Sequence, residues 1–188
     1  QQISPRYELV KMSKNVNTFR HEAAPVVSPD GRTLYFFVQN HPENTMGKED
    51  TQDIWVSTMD PDGVWSVARH LGSPFNLHRS NQVFTVFPDG QLFIKGGSSR
   101  GDKGFSIVSG NSLQEVKVKD FRDMNKGRFY GASMSVDRKH IIMYFSEVQN
   151  SINSDLYESH QEPDGSFSRP SKLKLSTHGT NASSRPEK

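Results

Sequence analysis

The side chains most often used for catalysis and metal binding are present in this chain, but their spacing forms no recognised catalytic or metal-binding motif. Histidine occurs seven times, and no two histidines have the HExxH or HxH spacing of metal ligands. The only adjacent histidine–acid pair is His21-Glu22. Cysteine is absent, which excludes disulfides, thiolate metal sites and cysteine nucleophiles together. We therefore predict no metal, no cofactor and no catalytic residue, and we expect that the chain is not an enzyme.

Acidic residues are grouped in two segments that resemble calcium loops at first sight. Residues 42–53 (PENTMGKEDTQD) and 60–63 (DPDG) bring several oxygen ligands close together, as calcium loops do. Neither segment has the spacing of an EF-hand loop with its terminal glutamate, and DPDG is a hairpin-turn sequence. We therefore favour turns over ion binding in both segments.

The elements that must position these residues are short strands and turns, because the chain contains an internal repeat. Residues 24–37 (APVVSPDGRTLYFF) are echoed at 84–95 (FTVFPDGQLFIK) and more weakly at 132–145 (ASMSVDRKHIIMYF). The turn in the first two copies is Pro-Asp-Gly: proline fixes φ, aspartate bonds its own backbone, and glycine tolerates positive φ. The third copy has lost the proline and the glycine. An aspartate recurs at the same position in all three copies, Asp30, Asp89 and Asp137, which indicates a turn role and not catalysis.

A second pair of segments supports the same period. Residues 53–71 (DIWVSTMDPDGVWSVARHL) match residues 155–173 (DLYESHQEPDGSFSRPSKL) without a gap. The offset, 155 − 53 = 102, is two periods of about 51 residues. Because two separate sequence elements give nearly the same period, we interpret the chain as a repeat array.

Each period contains four short segments with strand character, which is the pattern of a β-propeller blade. In the first period the predicted strands are 24–28, 33–38, 53–58 and 64–69, with one longer loop at 39–52. Apolar residues alternate only in part, as in Leu34-Tyr35-Phe36-Phe37, and this fits strands covered on both faces by neighbouring blades. The predicted fold class is all-β, with about three blades of four antiparallel strands and the start of a fourth, as part of a larger propeller.

The repeat resembles the WD-repeat-like (TolB-type) β-propeller repeat, and more narrowly the copy found in Bacteroidetes OmpA-family envelope proteins. The residues that carry the resemblance are SPDGRTLYF (28–36), DIWVS (53–57), and Trp65-Ser66 with Leu71-Gly72. The resemblance covers about residues 20–177, and the second period departs from it because 104–118 lacks the aspartate and the aromatic turn. It implies a periplasmic or outer-membrane-associated location. Some relatives with this repeat belong to the type IX secretion machinery, and others carry a peptidoglycan-binding domain.

The repeats divide the chain into five parts. These are a lead-in at 1–19, which can pair as a strand in a blade, three repeats at 20–77, 78–125 and 126–177, and the start of a fourth repeat or a tail at 178–188. Three blades and a partial fourth leave two open sheet faces and unpaired edges. Three explanations stay open: a fragment of a longer protein, closure through a second copy or a partner, or a small distorted closed fold. Self-association through open blade edges follows from the second explanation.

Composition and charge exclude several classes of partner. The formal net charge is +2, with basic and acidic residues interspersed, so we expect no nucleic-acid binding. No apolar run approaches the length of a membrane-spanning helix, so we expect no direct membrane insertion. The first ten residues, QQISPRYELV, lack the basic start and the apolar core of a signal peptide.

From these observations we predict a non-catalytic protein-binding or scaffold propeller of the bacterial cell envelope, associated with secretion or with peptidoglycan. Propellers often bind ligands with the loops that open their blades. The predicted partner-binding residues lie at or near those loops: Arg20, His21, Glu22, Arg79, Asn81 and Arg128. The alternative is an accessory propeller of a peptidase or of a glycan-active enzyme, since TolB-type repeats also precede peptidase domains. The sequence identifies no particular partner among cell-envelope proteins.

Overall fold

The protein is built from short β-strands joined by turns and loops. The computed structural model describes residues 8–49 and 52–174. Its strands are β1 (Glu22–Val27), β2 (Thr33–Val38), β3 (Asp53–Thr58), β4 (Arg69–His70), β5 (Val83–Val86), β6 (Leu92–Lys95), β7 (Phe105–Ser109), β8 (Ser112–Val116), β9 (Gly131–Met134), β10 (His140–Phe145), β11 (Asp155–His160) and β12 (Ser171–Lys172). Helical structure in this part of the chain consists of a 3-10 turn at Gly47–Glu49 and α1 (Phe121–Met124).

The strands form three four-stranded antiparallel sheets, each in sequence order: β1-β2-β3-β4, β5-β6-β7-β8 and β9-β10-β11-β12. The first strands of consecutive sheets are neighbours, because β1 contacts β5 and β5 contacts β9. Four-stranded sheets arranged in this way are the blades of a β-propeller, and we call them blades 1, 2 and 3. The predicted all-β fold class is confirmed. The predicted fourth repeat or tail at 178–188 lies outside the described residues, as do residues 1–7 of the lead-in.

The turn between the first two strands of a blade is held by the aspartate that recurs in the repeat. In blade 1, Asp30 Oδ1 accepts hydrogen bonds from Ser28 Oγ at 2.5 Å and from the backbone N–H of Arg32 at 3.0 Å. Asp137 accepts the matching pair of bonds in blade 3. The serine hydroxyl and the backbone N–H stabilise the carboxylate, so the pKa of both aspartates lies below its usual value. The recurring aspartate therefore has the turn role that the repeat predicts.

Arg138 occupies the turn position that is glycine in the other two copies. Its φ is 61°, a conformation in which a non-glycine residue is uncommon. The guanidinium reaches across to blade 2, where Nη2 donates to Asp89 Oδ2 at 2.5 Å and Nη1 donates to Gln91 Oε1 at 2.8 Å. Cζ also lies 4.2 Å from the centre of the Phe87 ring. The residue that weakens the third copy of the sequence repeat therefore links two blades.

The two matched segments of the repeat make the same hydrogen bonds in blades 1 and 3. Ser57 Oγ donates to the backbone O of Ser66 at 2.6 Å, and Ser159 Oγ donates to the backbone O of Ser168 at 2.6 Å. Each bond joins the third strand of a blade to the segment that follows the hairpin turn. The serines that match in sequence are therefore matched in structure.

The fourth strand of blade 1 was predicted at residues 64–69, and this prediction is wrong for residues 64–68, which form no strand. The strand β4 covers only Arg69–His70, and Trp65 forms an isolated bridge with Met59. Part of the intervening backbone bonds the lead-in instead of the sheet, because the N–H of Ala68 donates to the backbone O of Asn15 at 2.9 Å.

Apolar side chains fill the spaces between the blades. The cluster between blades 1 and 2 contains Ile54, Val56, Leu71, Val83, Val86, Leu92, Ile94 and Val108. The cluster between blades 2 and 3 is rich in aromatic residues and methionine: Phe87, Phe93, Phe105, Phe121, Met124, Tyr130, Met134, Ile141, Met143, Phe145, Tyr157 and Phe167. Successive residues of a strand point to opposite faces, so blade 2 supplies apolar side chains to both neighbours.

The outer face of blade 1 is covered, which contradicts the prediction of two open sheet faces. Val16 of the lead-in packs against this face and forms a buried cluster with Leu34, Phe36, Val38 and Trp55. Residues 8–19 contain no strand, so this part of the lead-in covers the blade by packing and not by strand pairing. On blade 3, the outward-facing Ile142 and Leu156 are 40% and 39% exposed. Within the described residues, no helix is long and apolar enough to cross a membrane.

Candidate functional site

An open cavity of about 700 Å³ lies at the end of the array where the first strand of each blade begins and the second strand ends. Each blade contributes one side chain from near the end of its second strand: Phe37 of β2, Lys95 of β6 and Tyr144 of β10. The other described lining residues are Gln39, Gln52, His78, Arg79, Ser80, Gln82, Gly96, Gly101, Asp102, Lys103, Arg128, Phe129 and Tyr130. We call this space the mouth cavity.

Lys95 is a partly buried cation on the wall of the mouth cavity. Its Nζ donates to Ser80 Oγ at 3.2 Å and lies 4.8 Å from the centre of the Tyr130 ring. No carboxylate of the described residues forms an ion pair with it. Burial lowers the pKa of Lys95 from 10.5 to about 8, because the ammonium loses hydration and gains no opposite charge.

The ring of Tyr130, which contacts the ammonium of Lys95, is held in place by hydrogen bonds and ring contacts. Its hydroxyl donates to the backbone O of Gly104 at 3.3 Å and accepts from the N–H of Gly104 at 3.2 Å. Its ring makes edge contacts with Phe105 and Phe121, with ring centres 5.7 and 5.4 Å apart. Burial raises the pKa of Tyr130 to about 12, so the phenol is neutral at physiological pH and supplies no counter-charge to Lys95.

The side chain of His78 forms hydrogen bonds that hold the loop that follows Lys95. The N–H of Gly101 donates to its Nδ1 at 3.2 Å, so the other ring nitrogen, Nε2, carries the proton and donates to the backbone O of Gly97 at 2.9 Å. Gly96 has φ of 102°, and a Cβ at this position would lie 2.1 Å from the His78 ring. Glycine is therefore required at position 96, and both ring nitrogens of His78 bond the backbone of the loop.

The mouth cavity has an excess of positive charge. The arginine, lysine and acidic residues of its described lining are Arg79, Lys95, Lys103, Arg128 and Asp102. Asp102, the acidic one, lies 3.5 Å from Nη2 of Arg122, so its charge is already partly balanced. The cavity can therefore attract an anion, which would meet Lys95 on the wall and the exposed Arg128.

The predicted partner-binding residues other than Asn81 fall into two groups, one in the lining of the mouth cavity and one at the start of blade 1. Arg79 and Arg128 line the mouth cavity. Arg20, His21 and Glu22 lie at the start of blade 1, where His21 stacks on Phe37 with ring centres 6.2 Å apart. Arg20 Nη1 donates to the backbone O of Asn40 at 2.9 Å, and Glu22 Oε1 accepts from the N–H of Thr18 at 3.3 Å. The binding role of these five residues stays a prediction.

Asn81 differs from the other five predicted residues, because the fold uses its side chain; its binding role also stays a prediction. It is fully buried. Its Nδ2 donates to Asp53 Oδ1 at 2.8 Å, and its Oδ1 accepts from the backbone N–H of His78 at 2.9 Å. Its polar atoms are therefore used to join the loop between blades 1 and 2 to strand β3.

Asp53 and His70 form the one histidine–acid pair of the described residues in which the acid is fully buried. Asp53 Oδ2 lies 2.7 Å from His70 Nε2 and also accepts from the N–H and the hydroxyl of Thr45 at 2.7 and 2.9 Å. With the bond from Asn81, four donors occupy a carboxylate that has about four acceptor sites. The carboxylate of Asp53 therefore joins two loops, those of Thr45 and Asn81, and strand β4 to strand β3. No group of three or more acidic, histidine or cysteine side chains among the described residues could hold a metal ion.

Sequence reasoning missed most of the mouth cavity. Lys95, Lys103, Phe129 and Tyr144 line it, and none was selected as a site residue. A usable signal was present at Lys95, which stands near the end of a second strand where the other blades have Phe37 and Tyr144. A lysine at an aromatic position of a repeat indicates a local function, because it replaces packing surface with charge.

Comparisons with known proteins identify no family. No protein-family model matches the chain, and no curated protein is significantly similar to it. Among solved structures, a puromycin hydrolase is similar over 82% of this chain and 22% of its own, with 14% identity and a TM-score of 0.46. The chain thus spans about a fifth of the length of that structure, and similarity at this level gives no information on activity. The strand order of the chain itself identifies it as an all-β protein built of propeller blades.

Proposed function

We propose that this chain is a non-catalytic binding module that recognises a protein partner at the mouth cavity. The observation that carries the proposal is the concentration of Arg79, Lys95, Lys103 and Arg128 around an open space of about 700 Å³. Functional pockets of this size combine apolar walls with a few convergent polar groups. The walls here include Phe129, which is 56% exposed, and aromatic and arginine residues are enriched at protein–protein interfaces.

The proposal includes a location in the bacterial cell envelope, in the periplasm or at the outer membrane. Its support is the resemblance of SPDGRTLYF (28–36) and DIWVS (53–57) to the TolB-type repeat of envelope propellers. A scaffold role in secretion or in peptidoglycan binding belongs to the same proposal. The non-catalytic part is supported by the Asp53–His70 pair, whose carboxylate is fully used by the fold.

A random peptide library displayed on phage tests the proposal without a known partner. Peptides selected on the wild-type protein are expected to bind Arg128→Glu about tenfold more weakly or worse, because the substitution reverses one charge at the cavity. The matched control is Lys139→Glu, which reverses an exposed charge immediately before β10, at the strand end opposite to Tyr144. Affinities are measured by fluorescence polarisation, and mass spectrometry checks that the peptides stay intact.

Two results would contradict the proposed function. The first is a selection that enriches no peptide, or peptides that lose affinity with Lys139→Glu and not with Arg128→Glu. The second is cleavage or modification of the selected peptides by the purified protein, which would replace the binding role with an enzymatic one.

A further inference from the structure

We propose that Lys95 is the anchor for a carboxylate of the partner, supplied by an aspartate or glutamate side chain that enters the mouth cavity. This inference rests on the proposed function and specifies the chemistry of the group that is recognised. It also assigns a binding role to a residue outside the predicted set of partner-binding residues.

The hydrogen-bond geometry of Lys95 leaves room for such a group. An ammonium has three N–H donors. Ser80 Oγ accepts one of them at 3.2 Å, and the face of the Tyr130 ring lies 4.8 Å from Nζ. The hydroxyl and the ring are both neutral, so they orient the ammonium without balancing its charge. A donor of Lys95 is therefore available for an anionic acceptor.

The position of Lys95 argues that the missing counter-charge comes from a ligand. Buried charges in proteins are normally paired, and no carboxylate of the described residues pairs with Lys95. The equivalent strand positions of blades 1 and 3 hold the aromatic residues Phe37 and Tyr144, so the charge at this position is particular to blade 2. An unpaired charge that faces an open cavity is suited to ion pairing with a ligand.

The surroundings favour a carboxylate over a phosphate. Phosphate groups in proteins are typically held by arginine forks or by clusters of backbone N–H groups. The contacts of Lys95 Nζ are Ser80 Oγ and the Tyr130 ring, which form neither a fork nor a cluster of N–H groups. Arg79, Lys103 and Arg128 also line the cavity, so a phosphoserine peptide is the comparison that separates a carboxylate from a phosphate.

The aromatic walls define what should flank the acidic residue. Phe129 and Tyr144 line the same cavity and are 56% and 39% exposed. Apolar side chains next to the acid would cover these rings and exclude water from the ion pair, which strengthens it. We therefore infer a motif in which an acidic residue lies between apolar residues.

Titration calorimetry with blocked tripeptides tests this inference. Acetyl-Leu-Asp-Leu-amide is expected to bind the wild-type protein, and acetyl-Leu-Asn-Leu-amide is expected to bind about 30-fold more weakly or not at all, because it lacks the charge that Lys95 must pair with. Lys95→Met and Lys95→Gln should each reduce affinity for the aspartate peptide by a similar factor. Lys139→Met, which removes an exposed lysine before β10, should leave affinity unchanged. Circular dichroism verifies that the variants are folded.

The possible outcomes separate this inference from the proposed function. If library-selected peptides depend on Arg128 but bind Lys95→Met as tightly as wild type, the carboxylate anchor is wrong and the proposed function stands. If the aspartate peptide binds in a Lys95-dependent manner while the purified protein cleaves or modifies the selected peptides, the anchor is supported and the non-catalytic part of the proposed function is contradicted. Tighter binding of acetyl-Leu-phosphoserine-Leu-amide than of the aspartate peptide, or of succinate than of either peptide, would overturn the assignment to an acidic side chain.

Discussion

Replacing Asp53 by alanine is expected to lower the free energy of unfolding by about 3 kcal/mol or more, because several hydrogen bonds to one buried carboxylate are lost and each buried group left unsatisfied costs about 1–3 kcal/mol. The carboxylate is fully buried and accepts hydrogen bonds from His70, Thr45 and Asn81 at 2.7–2.9 Å. Without it, the buried Asn81 amide, the partly buried His70 ring and the two donors of Thr45 lose this acceptor. Urea denaturation followed by circular dichroism measures the change.

The repeat provides a matched control for this substitution. Asp155 stands at the equivalent position of blade 3, where its carboxylate is about half exposed and bonds Lys172 Nζ at 2.6 Å. An exposed ion pair contributes little, so Asp155→Ala should change stability by less than about 1 kcal/mol. If the two substitutions lowered the free energy of unfolding equally, the conclusion that only Asp53 stabilises the fold through buried hydrogen bonds would be contradicted.

Replacing Lys95 by methionine is expected to raise the free energy of unfolding by about 2 kcal/mol at pH 7, while abolishing carboxylate binding. Its pKa of 10.5 when hydrated falls to about 8 in the folded protein, and that difference sets an upper limit of about 3 kcal/mol on the stability lost by burying the charge. The side of Lys95 that faces the open cavity keeps some hydration, which lowers the expected value. Methionine has nearly the same length and no charge to desolvate.

The stability gain should depend on pH in a direction that identifies its cause. Because the folded-state pKa of Lys95 is lowered, the unfolded chain binds more protons than the folded protein between about pH 8 and pH 10.5. Wild-type stability should therefore rise relative to Lys95→Met across this window, and the advantage of the variant should shrink. The other titratable groups lining the cavity are His78, Arg79, Asp102, Lys103, Arg128, Tyr130 and Tyr144, and all are common to both proteins. A stability difference that is constant between pH 7 and pH 10 would show that packing, and not charge burial, causes it.

The repeat pattern was sufficient to predict the blades, because each repeated residue has a local task. Asp30 and Asp137 close turns through bonds to neighbouring residues, and Ser57 and Ser159 each bond a residue nine positions later. Such contacts lie within one blade, so the sequence spacing encodes them directly. The short β4 was predicted incorrectly because Ala68 bonds Asn15 of the lead-in, a partner that lies outside the repeat.

The mouth cavity could be predicted only in part, because it combines residues that are far apart in sequence. Phe37, Lys95 and Tyr144 belong to three blades and meet only once the blades pack. Arg79 and Arg128 were accessible to sequence reasoning because they lie in blade-opening loops. Asn81 lies in a similar loop, but its amide bonds Asp53 across 28 positions, a contact that no local pattern reveals.

The pKa of Lys95 tests the carboxylate anchor most directly, measured by NMR on protein with ¹³C-labelled, chemically unmodified lysine through the Cε signal, with Lys95→Met to assign it. We predict that Lys95 titrates near pH 8 in the free protein, and that saturating acetyl-Leu-Asp-Leu-amide raises this pKa by about one unit or more while the asparagine peptide leaves it unchanged. A signal that titrates near the ordinary lysine pKa, or one that responds to neither peptide, would contradict the proposal that Lys95 is unpaired in the free protein and pairs with a partner's carboxylate.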